Sequence, residues 1–600
     1  MSAGAGTMLP GGRGYASLAR AKDPRGTLRR LATYFDAFRP GLALVAACIV
    51  TYTFLGLVGP YLMGVALDRF IARHDTEGLG RIALLMFGAF LANNFFQGAA
   101  SWLMAGISQR ALKTLRGDLF RHLQTLPMDF FESNPSGELM SRLTNDIAAI
   151  NEAVAQNVTS LLASVLSMLG IVIAMFVLDR WLALASLLVV PLMFAFTRFV
   201  AVFTRRGFKE LQKSLGRLNA VMEESIGGQK TVTVFRRNAS AIEAFRVENE
   251  SVYRTGVSAN TYALLLMPLT AVLGNLFVIV LAGLGGWLAL EGLVSVGLIA
   301  TFINYGQNFV GPLRQLSNLY NTLQAALAGG ERVFEILDTP AEVDDAPRGR
   351  SHGTVRGAVR FDHVTFGYRA GTTVIDDMSL EADPGQVIAL VGPTGAGKTT
   401  IINLLTRFYE IARGTITIDG TDIRDLPKAQ LRRMLGLVLQ DTYLFGETVM
   451  ENIRYGKLDA SDEDVVRAAK LADADGFIRQ LPHGYQTVLS ERAGNLSQGQ
   501  RQLLAIARTL LAEPAILILD EATSSVDTRT EARIQKALLR LMEGRTTFVI
   551  AHRLSTIRDA DQVLVIDGGR IVERGTHPEL LAQHGVYHQL YTSQFKGHAL

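Results

Sequence analysis

Six stretches of this 600-residue chain contain no Lys, Arg, Asp or Glu: Gly41 to Leu67, Ile82 to Gln109, Ala153 to Leu178, Trp181 to Thr197, Thr255 to Leu290 and Gly292 to Leu313. At about 1.5 Å per helical residue, even the shortest covers most of the roughly 30 Å hydrocarbon core of a bilayer. Buried helices of soluble proteins rarely run about 20 residues without a charge. The first half therefore reads as six membrane-spanning helices, and 49% apolar against 19% charged residues agrees.

Lys and Arg in the connections set the orientation. With the N-terminus inside, the inner segments are Met1 to Pro40, Arg110 to Glu152 and Arg198 to Arg254, the last carrying Arg205, Arg206, Arg236 and Arg237. The outer connections hold only Arg69, Arg73, Arg81 and Arg180. This bias places both termini in the cytoplasm of a multi-pass protein of the cytoplasmic (inner) membrane. It also accounts for the net charge of +4 without a nucleic-acid partner. No apolar h-region precedes Thr33, so the Arg-rich start reads as a flexible segment followed by an amphipathic helix on the inner leaflet. Cys48, the single cysteine, excludes an intrachain disulfide or a thiolate metal cluster and reads as a packing residue.

The inner connections Arg110 to Glu152 and Arg198 to Arg254 keep apolar residues at helical spacing with charges interleaved. The membrane helices are thus expected to continue into the cytoplasm and to turn near Pro127 to Gly137 and near Glu223 to Thr233. Composition changes at the Pro-, Gly- and charge-rich linker Asp338 to Arg350. Beyond it, Val359 to Phe366, Val387 to Val391, Thr415 to Ile418, Gly436 to Leu439, Ala515 to Leu519, Thr546 to Ile550 and Gln562 to Ile566 read as strands. Leu431 to Met434, Asp462 to Leu471, Gln500 to Leu511, Thr528 to Leu541 and His577 to His584 read as helices or helical turns. The alternation predicts an α/β domain with a largely parallel central sheet.

The chemistry begins at Gly392-Pro393-Thr394-Gly395-Ala396-Gly397-Lys398-Thr399, between the strand ending at Val391 and a helix-like run from Thr400 to Tyr409. This fits the phosphate-loop pattern. Glycines let successive backbone N–H groups curl around phosphates, Lys398 places a charge at the terminal phosphates, and Thr399 offers a hydroxyl to Mg²⁺. Ala515 to Glu521 is an apolar strand ending in two carboxylates, an arrangement that sets Asp520 on the metal and Glu521 beside the attacking water. Leu496-Ser497-Gln498-Gly499-Gln500 offers a Ser hydroxyl, a Gly amide and a helix N-terminus, which together suit an anion.

In this order the motifs resemble those of ABC transporters. Residues 355–596 look like the nucleotide-binding domain and 30–335 like the six-helix membrane domain of the exporter branch, with 1–29 as a flexible start and 336–354 as linker. The implied fold is a multidomain membrane protein: an all-α transmembrane domain with long cytoplasmic extensions, then an α/β P-loop NTPase domain. The resemblance implies ATP and Mg²⁺ as ligands, held by the phosphate loop and Thr400. It implies a dimer in which the signature of one domain closes over nucleotide on the phosphate loop of its partner. It assigns Tyr368 to adenine stacking, Gln440 to Mg²⁺ and water, Ser525, Val526 and Asp527 to the dimer interface, and His552 to the γ-phosphate and the orientation of Glu521. Phe130 to Asp146 and Glu223 to Phe235 are similar to the two inner coupling turns.

Two departures from the family pattern stand out. Gln498 replaces a glycine of the signature, and Ser490-Glu491-Arg492-Ala493, followed by Gly494-Asn495, replaces a Gly-Glu-Arg-Gly type stretch. Both resemble the catalytic-glutamate-bearing subunit of heterodimeric multidrug exporters, so an unlike partner is expected, with drift within a homodimer as the alternative. The absence of a central charge in the six runs disfavours a highly charged cargo and favours lipophilic or amphipathic compounds such as drugs, lipids or peptides. Asn93, Asn94, Gln97, Asn157, Asn275, Asn304, Gln307 and Asn308 either line a cavity with Phe302 and Phe309 or hold helices together. An importer with an exporter-like body, as in siderophore uptake, and an ATP-gated membrane regulator that does not pump are the remaining readings. Glu521→Gln is expected to leave ATP binding intact and to collapse hydrolysis; turnover at the wild-type rate in a phosphate-release assay would refute Glu521 as the base.

Overall fold

The computed structural model describes residues 22–342, 355–369, 371–439, 442–490, 493–520, 528–551 and 557–594. The chain forms two compact units. One runs through Thr125 and from Pro135 to Pro340; the other comprises Leu126–Asn134 and everything from Ala341.

The first unit is helical. A short helix α1 (Pro24–Thr33) precedes α2 (Arg39–Val65), α3 (Thr76–Leu123), α4 (Thr159–Leu178), α5 (Arg180–Gly227), α6 (Asn238–Leu290) and α7 (Val296–Leu337). These six long helices take up most of each of the six charge-free runs. Among the described residues, the segments Asp36–Ile71, Thr76–Leu123 and Ser136–Leu178 are long and apolar enough to cross a membrane. On α3, Leu84, Phe87, Phe95 and Trp102 are 72%, 66%, 69% and 77% exposed, so this helix turns apolar side chains outward, as a helix in lipid does.

Three of the six long helices start where a short polar side chain satisfies free backbone amides. Asp75 accepts from Gly78 N at 2.9 Å, Asp179 from Trp181 N and Leu182 N at 2.9 and 2.8 Å, and Ser295 from Leu298 N at 3.2 Å. Asp68 adds a second anchor at the start of α7, accepting from Gly297 N at 2.7 Å and from Ser295 Oγ at 2.5 Å. There α2 and α7 cross backbone to backbone. A Cβ on Gly64 would lie 2.7 Å from Gly297 O, and one on Gly297 would lie 2.2 Å from Gly64 O. Small residues at such a crossing let helices meet without a hydrophobic drive from lipid. Cys48 is buried with Val45, Ile49, Ala100, Met104 and Ile107, a packing role as expected.

α3 and α5 continue well past their apolar runs, and the turns fall where the sequence placed them. Short helices Met128–Ser133 and Ser136–Ser141 follow α3, and Gln229–Val234 separates α5 from α6. Farther along, Asp146 is buried and accepts from Arg332 Nε at 2.9 Å and from Nη2, tying the segment leading into α4 to α7. The amphipathic helix expected after the Arg-rich start is α1, which packs on α7. Thr27 and Leu31 are buried, the Cγ2 of Thr27 fills the space beside Gly330, and Arg30 donates to Asp338 at 2.6 and 2.8 Å while lying over the Phe334 ring. Leu31 thus packs on α7 while Leu28 is exposed.

The second unit holds two sheets. β3 (Val387–Val391), β6 (Leu435–Val438), β7 (Ile516–Asp520), β8 (Thr546–Ile550) and β9 (Gln562–Asp567) pair in parallel in the order β9-β3-β8-β7-β6, and β10 (Arg570–Gly575) adds antiparallel to β9. The second sheet, β2-β1-β4-β5, is antiparallel and was not foreseen; it joins β1 (Val359–Phe366), β2 (Ile375–Ala382), β4 (Arg413–Ile418) and β5 (Thr421–Asp422). Period-two alternation sends Ile388, Leu390, Ile516, Ile518, Phe548 and Ile550 to one core, and Ala389, Val391, Leu517, Leu519 and Val549 to another. The parallel sheet is therefore buried on both faces, as parallel sheets must be. The first core also takes α8 (Lys398–Leu405) and the antiparallel sheet. The second takes α9 (Asp462–Leu471), α10 (Gln498–Ala512) and α11 (Thr528–Met542).

The crossing at Gly64 is testable by thermal unfolding of the solubilised protein. Gly64→Ala should destabilise by about 1–3 kcal/mol through forced separation of α2 and α7. Gly117→Ala, where a Cβ meets nothing within 4 Å, should be neutral or stabilise by up to about 1 kcal/mol. Equal effects at both positions would contradict the close crossing.

Candidate functional site

The phosphate loop is a six-residue connection from β3 to α8, and three glycines give it its shape. Gly395 and Gly397 sit at φ of +83° and +106°, where side chains are strained. A Cβ on Gly392 would lie 2.1 Å from Ile566 O, and one on Gly397 would lie 2.8 Å from Ile375 Cδ1. The loop thus lies directly against neighbouring strands. Pro393 O accepts from Ala396 N at 3.2 Å, and exposed Pro393, Thr394 and Gly395 form the rim. Lys398 Nζ folds back into this loop, donating to Gly392 O at 2.7 Å and Pro393 O at 2.9 Å. Burial pushes the Lys398 ammonium below its ordinary pKa, and nearby Asp520 pulls it partly back. An ammonium held by neutral carbonyls beside a carboxylate is well placed to exchange them for phosphate oxygens. Thr399 is exposed at the first turn of α8.

The sheet register collects the other candidates. Leu390 of β3 pairs with Ile550 of β8, Asp520 of β7 also pairs with Ile550, and Val438 of β6 pairs with Leu519. Four parallel strands therefore end level at the side where the phosphate loop begins, the side on which open α/β sheets bind ligands. Asp520 terminates β7. Gln440, Glu521, Ser525, Val526, Asp527 and His552 lie outside the described residues, as do Glu491 and Arg492; in sequence, Gln440, Glu521 and His552 follow the ends of β6, β7 and β8.

Tyr368 is 43% exposed, and its ring meets Phe366 and Tyr409 edge-on at centroid distances of 5.0 and 4.9 Å. Its hydroxyl lies 3.1 Å from Thr400 Oγ1 and accepts from Asn403 Nδ2 at 3.2 Å. The buried Thr400 hydroxyl is thereby directed to Tyr368, which fixes the aromatic to α8. The helix expected to reach Tyr409 stops at Leu405. Arg407 adopts φ +50° and its buried guanidinium donates to Glu410 at 2.9 Å and to the Ile423 carbonyl at 3.3 Å. That early stop swings Tyr409 toward Leu126–Asn134, which groups with this unit, and its hydroxyl donates to Glu132 at 2.5 Å. Burial, then the Glu132 carboxylate, raise the Tyr409 pKa, so the phenol stays protonated and donating. The sequence reading missed Tyr409, Glu132 and Arg407. An Arg-Phe-Tyr-Glu run just past a phosphate-loop helix was the available signal.

The signature helix α10 starts two residues earlier than expected. Ser497 is its N-cap in a reciprocal capping box: Gln500 N donates to Ser497 Oγ at 3.3 Å, and Ser497 N donates to Gln500 Oε1 at 2.9 Å. Gln498 is half-buried in the first turn and Gly499 is buried. A regular helical position tolerates a side chain, which gives a physical reason why glutamine can stand where the family has glycine. Through Leu503, Leu504 and Ile506, α10 packs on the sheet face opposite to the one that carries α8. The structure brings the phosphate loop, Tyr368 and Asp520 together and leaves Ser497 to Gln500 on the other side.

Residues 42–313 match the family described as the ABC transporter transmembrane region, and residues 375–524 match the family described as ABC transporter. An uncharacterized ABC transporter ATP-binding protein of Bacillus subtilis is 43% identical over 96% of both chains. A fatty acid ABC transporter ATP-binding/permease protein of Mycobacterium bovis is 44% identical over 86% of this chain and 82% of its own length. An ATP-dependent lipid A-core flippase of Syntrophus aciditrophicus is 36% identical over 95% and 94%.

Tyr409→Phe removes one hydroxyl and keeps the aromatic trio. It should loosen the Met128–Ser133 helix, raising hydrogen exchange at the Phe130 and Asn134 amides about tenfold, the equivalent of one charge-assisted hydrogen bond. Unchanged exchange would show that Glu132 does not hold this helix.

Proposed function

Since this chain belongs to the ABC transporter family, we propose that it exports, or flips between leaflets, lipophilic or amphipathic compounds across the cytoplasmic membrane. It is an exporter-type half-transporter with an ATPase unit, and such half-transporters work as dimers in the bilayer. The observation that carries the reading is the placement of the phosphate loop and the signature helix on opposite faces of one sheet. One chain supplies two half-sites that face away from each other, so nucleotide is enclosed when a second domain presents its signature to this phosphate loop.

In this reading the backbone N–H groups of the loop from Thr394 to Lys398 cradle the phosphates, Lys398 neutralises their charge, and Tyr368 stacks on adenine. Thr399, Asp520 and Gln440 hold Mg²⁺. Glu521 polarises the attacking water and His552 orients it against the γ-phosphate. Ser497, Gln498, Gly499 and Gln500 complete the partner's site. Enclosure draws the two domains together, the inner helices Met128–Ser133 and Gln229–Val234 carry the movement to the membrane helices, and hydrolysis resets the assembly. Cargo and ATP each favour a different state, which is what couples them. Gln498 and the altered stretch from Ser490 to Asn495 favour an unlike partner subunit. Relatives named for fatty acid and lipid A-core transport favour lipid amphiphiles as cargo.

Inside-out vesicles carrying the full complex test this directly. ATP-dependent accumulation of a fluorescent lipid in the vesicle lumen or inner leaflet is the expected outcome. ATP-dependent loss would support import, and hydrolysis without lipid movement would support a regulator. Expressed alone, the chain is expected to remain monomeric in detergent with little ATPase; a stable, active pair of identical chains would overturn the unlike partner.

A further inference from the structure

The helical unit contains a cavity of about 340 Å³ between α2, α3, α4 and α7. That is at the lower end of the range for small-molecule sites, about 300–1,000 Å³. Its position is unusual because Thr53, Gln97 and Ser164 stand near the middle of their charge-free runs, at the depth where unpaired polar groups are costly. Yet the wall is polar: these three are joined by Asn93, Asn308 and Gln315. Two tyrosines, Tyr52 and Tyr305, complete it, and among the described residues no Lys, Arg, His, Asp or Glu lines it.

Some of these groups hold helices together. Asn93 Nδ2 donates to the Tyr52 carbonyl at 2.5 Å, Tyr305 Oη to the Leu57 carbonyl at 2.8 Å, and Ser164 Oγ to Gln315 Oε1 at 3.3 Å. Those bonds fix the wall and do not exhaust it. An amide carries two donors and an acceptor, so the Asn93 oxygen and the Gln315 amino group remain for a further partner. Thr53 Oγ1 is buried without a hydrogen-bond partner among the described residues. By contrast, Asn94 bonds back to its own helix at Phe90 O, 2.8 Å away, and Asn304 to Ala300 O at 3.4 Å. Asn93, Gln97, Asn308 and Gln315 thus line the wall, whereas Asn94 and Asn304 do not.

Resting on the export reading above, we infer that this four-helix cavity binds the uncharged, hydroxyl-rich headgroup of an amphiphile, a polyol or glycosyl lipid, with its tail in the surrounding apolar helices. Hydroxyl-bearing headgroups both donate and accept, which matches a wall of amides and hydroxyls. A carboxylate or ammonium would enter a low-dielectric site with no opposite charge to compensate its lost hydration. Discrimination comes from the buried polar groups that a wrong ligand leaves unpaired.

The full chain in lipid nanodiscs, titrated with monooleoylglycerol, oleate or oleylamine, separates headgroup from tail because the chains match. Monooleoylglycerol should give a saturable rise in Tm, and the two charged amphiphiles should give none. Thr53→Val and Gln97→Leu should each raise the half-saturating concentration about tenfold, whereas Phe95→Leu, on the exposed side of α3, should not. Saturable binding of oleate or oleylamine at least as tight as that of monooleoylglycerol would overturn the inference, as would wild-type binding in both wall variants. Binding without ATP-driven transfer in vesicles would support the cavity's ligand while contradicting the export reading.

Discussion

The parallel sheet of the second unit is apolar on both faces, and the rest of the nucleotide chemistry depends on that. Strict alternation along β3, β7 and β8 commits one set of side chains to the core beneath α8 and the other to the core beneath α10. The phosphate loop and the signature helix are each fixed by burying their own helix, and burial puts them on opposite sides. No rearrangement short of unfolding the sheet brings them together within a chain. The second domain proposed to complete the nucleotide site thus follows from how the core is buried rather than from a surface feature.

The same economy appears at the strand ends. The register that satisfies the backbone of β3, β8, β7 and β6 aligns Leu390, Ile550, Asp520 and Val438 on one edge. Lys398, lowered in pKa by burial and held by loop carbonyls, sits near enough to Asp520 for that carboxylate to offset part of the lowering. The Tyr368, Phe366 and Tyr409 trio extends this edge to Glu132, so the aromatic beside the phosphate-loop helix and the first inner helix share one rigid contact. In the helical unit the equivalent constraint is closeness: glycines at the α2 and α7 crossing, and side-chain caps at the starts of α3, α5 and α7.

Where periodicity was strong, the sequence was legible. β1, β3, β8 and α9 occupy the residues expected of them, and the long extensions of α3 and α5 follow from apolar spacing that persists among charges. β2 was not visible because the Asp376-Asp377 pair breaks its alternation, although Ile375, Met378, Leu380 and Ala382 are buried. β10 carries Arg570, Glu573 and Arg574 at a sheet edge, where charge is tolerated and pattern is lost. The early end of α8 depended on Arg407 taking a left-handed conformation, which no propensity for arginine announces. At the candidate site, motif spacing located the loop and the carboxylate. The link from Tyr409 to Glu132 joins residues far apart in sequence and needed the fold to be seen.

Cysteine cross-linking tests the central claim most directly, because the only native thiol, Cys48, is buried in the helical unit. In a Cys48→Ser background, cysteines are placed at Thr394 on the phosphate loop and at Ser497 on the signature helix, and the protein is oxidised with and without ATP. Opposite faces of one sheet predict that no disulfide closes between these sites within a chain, and that any product ATP promotes joins the chain to a second subunit. A disulfide closed within one chain would contradict the account.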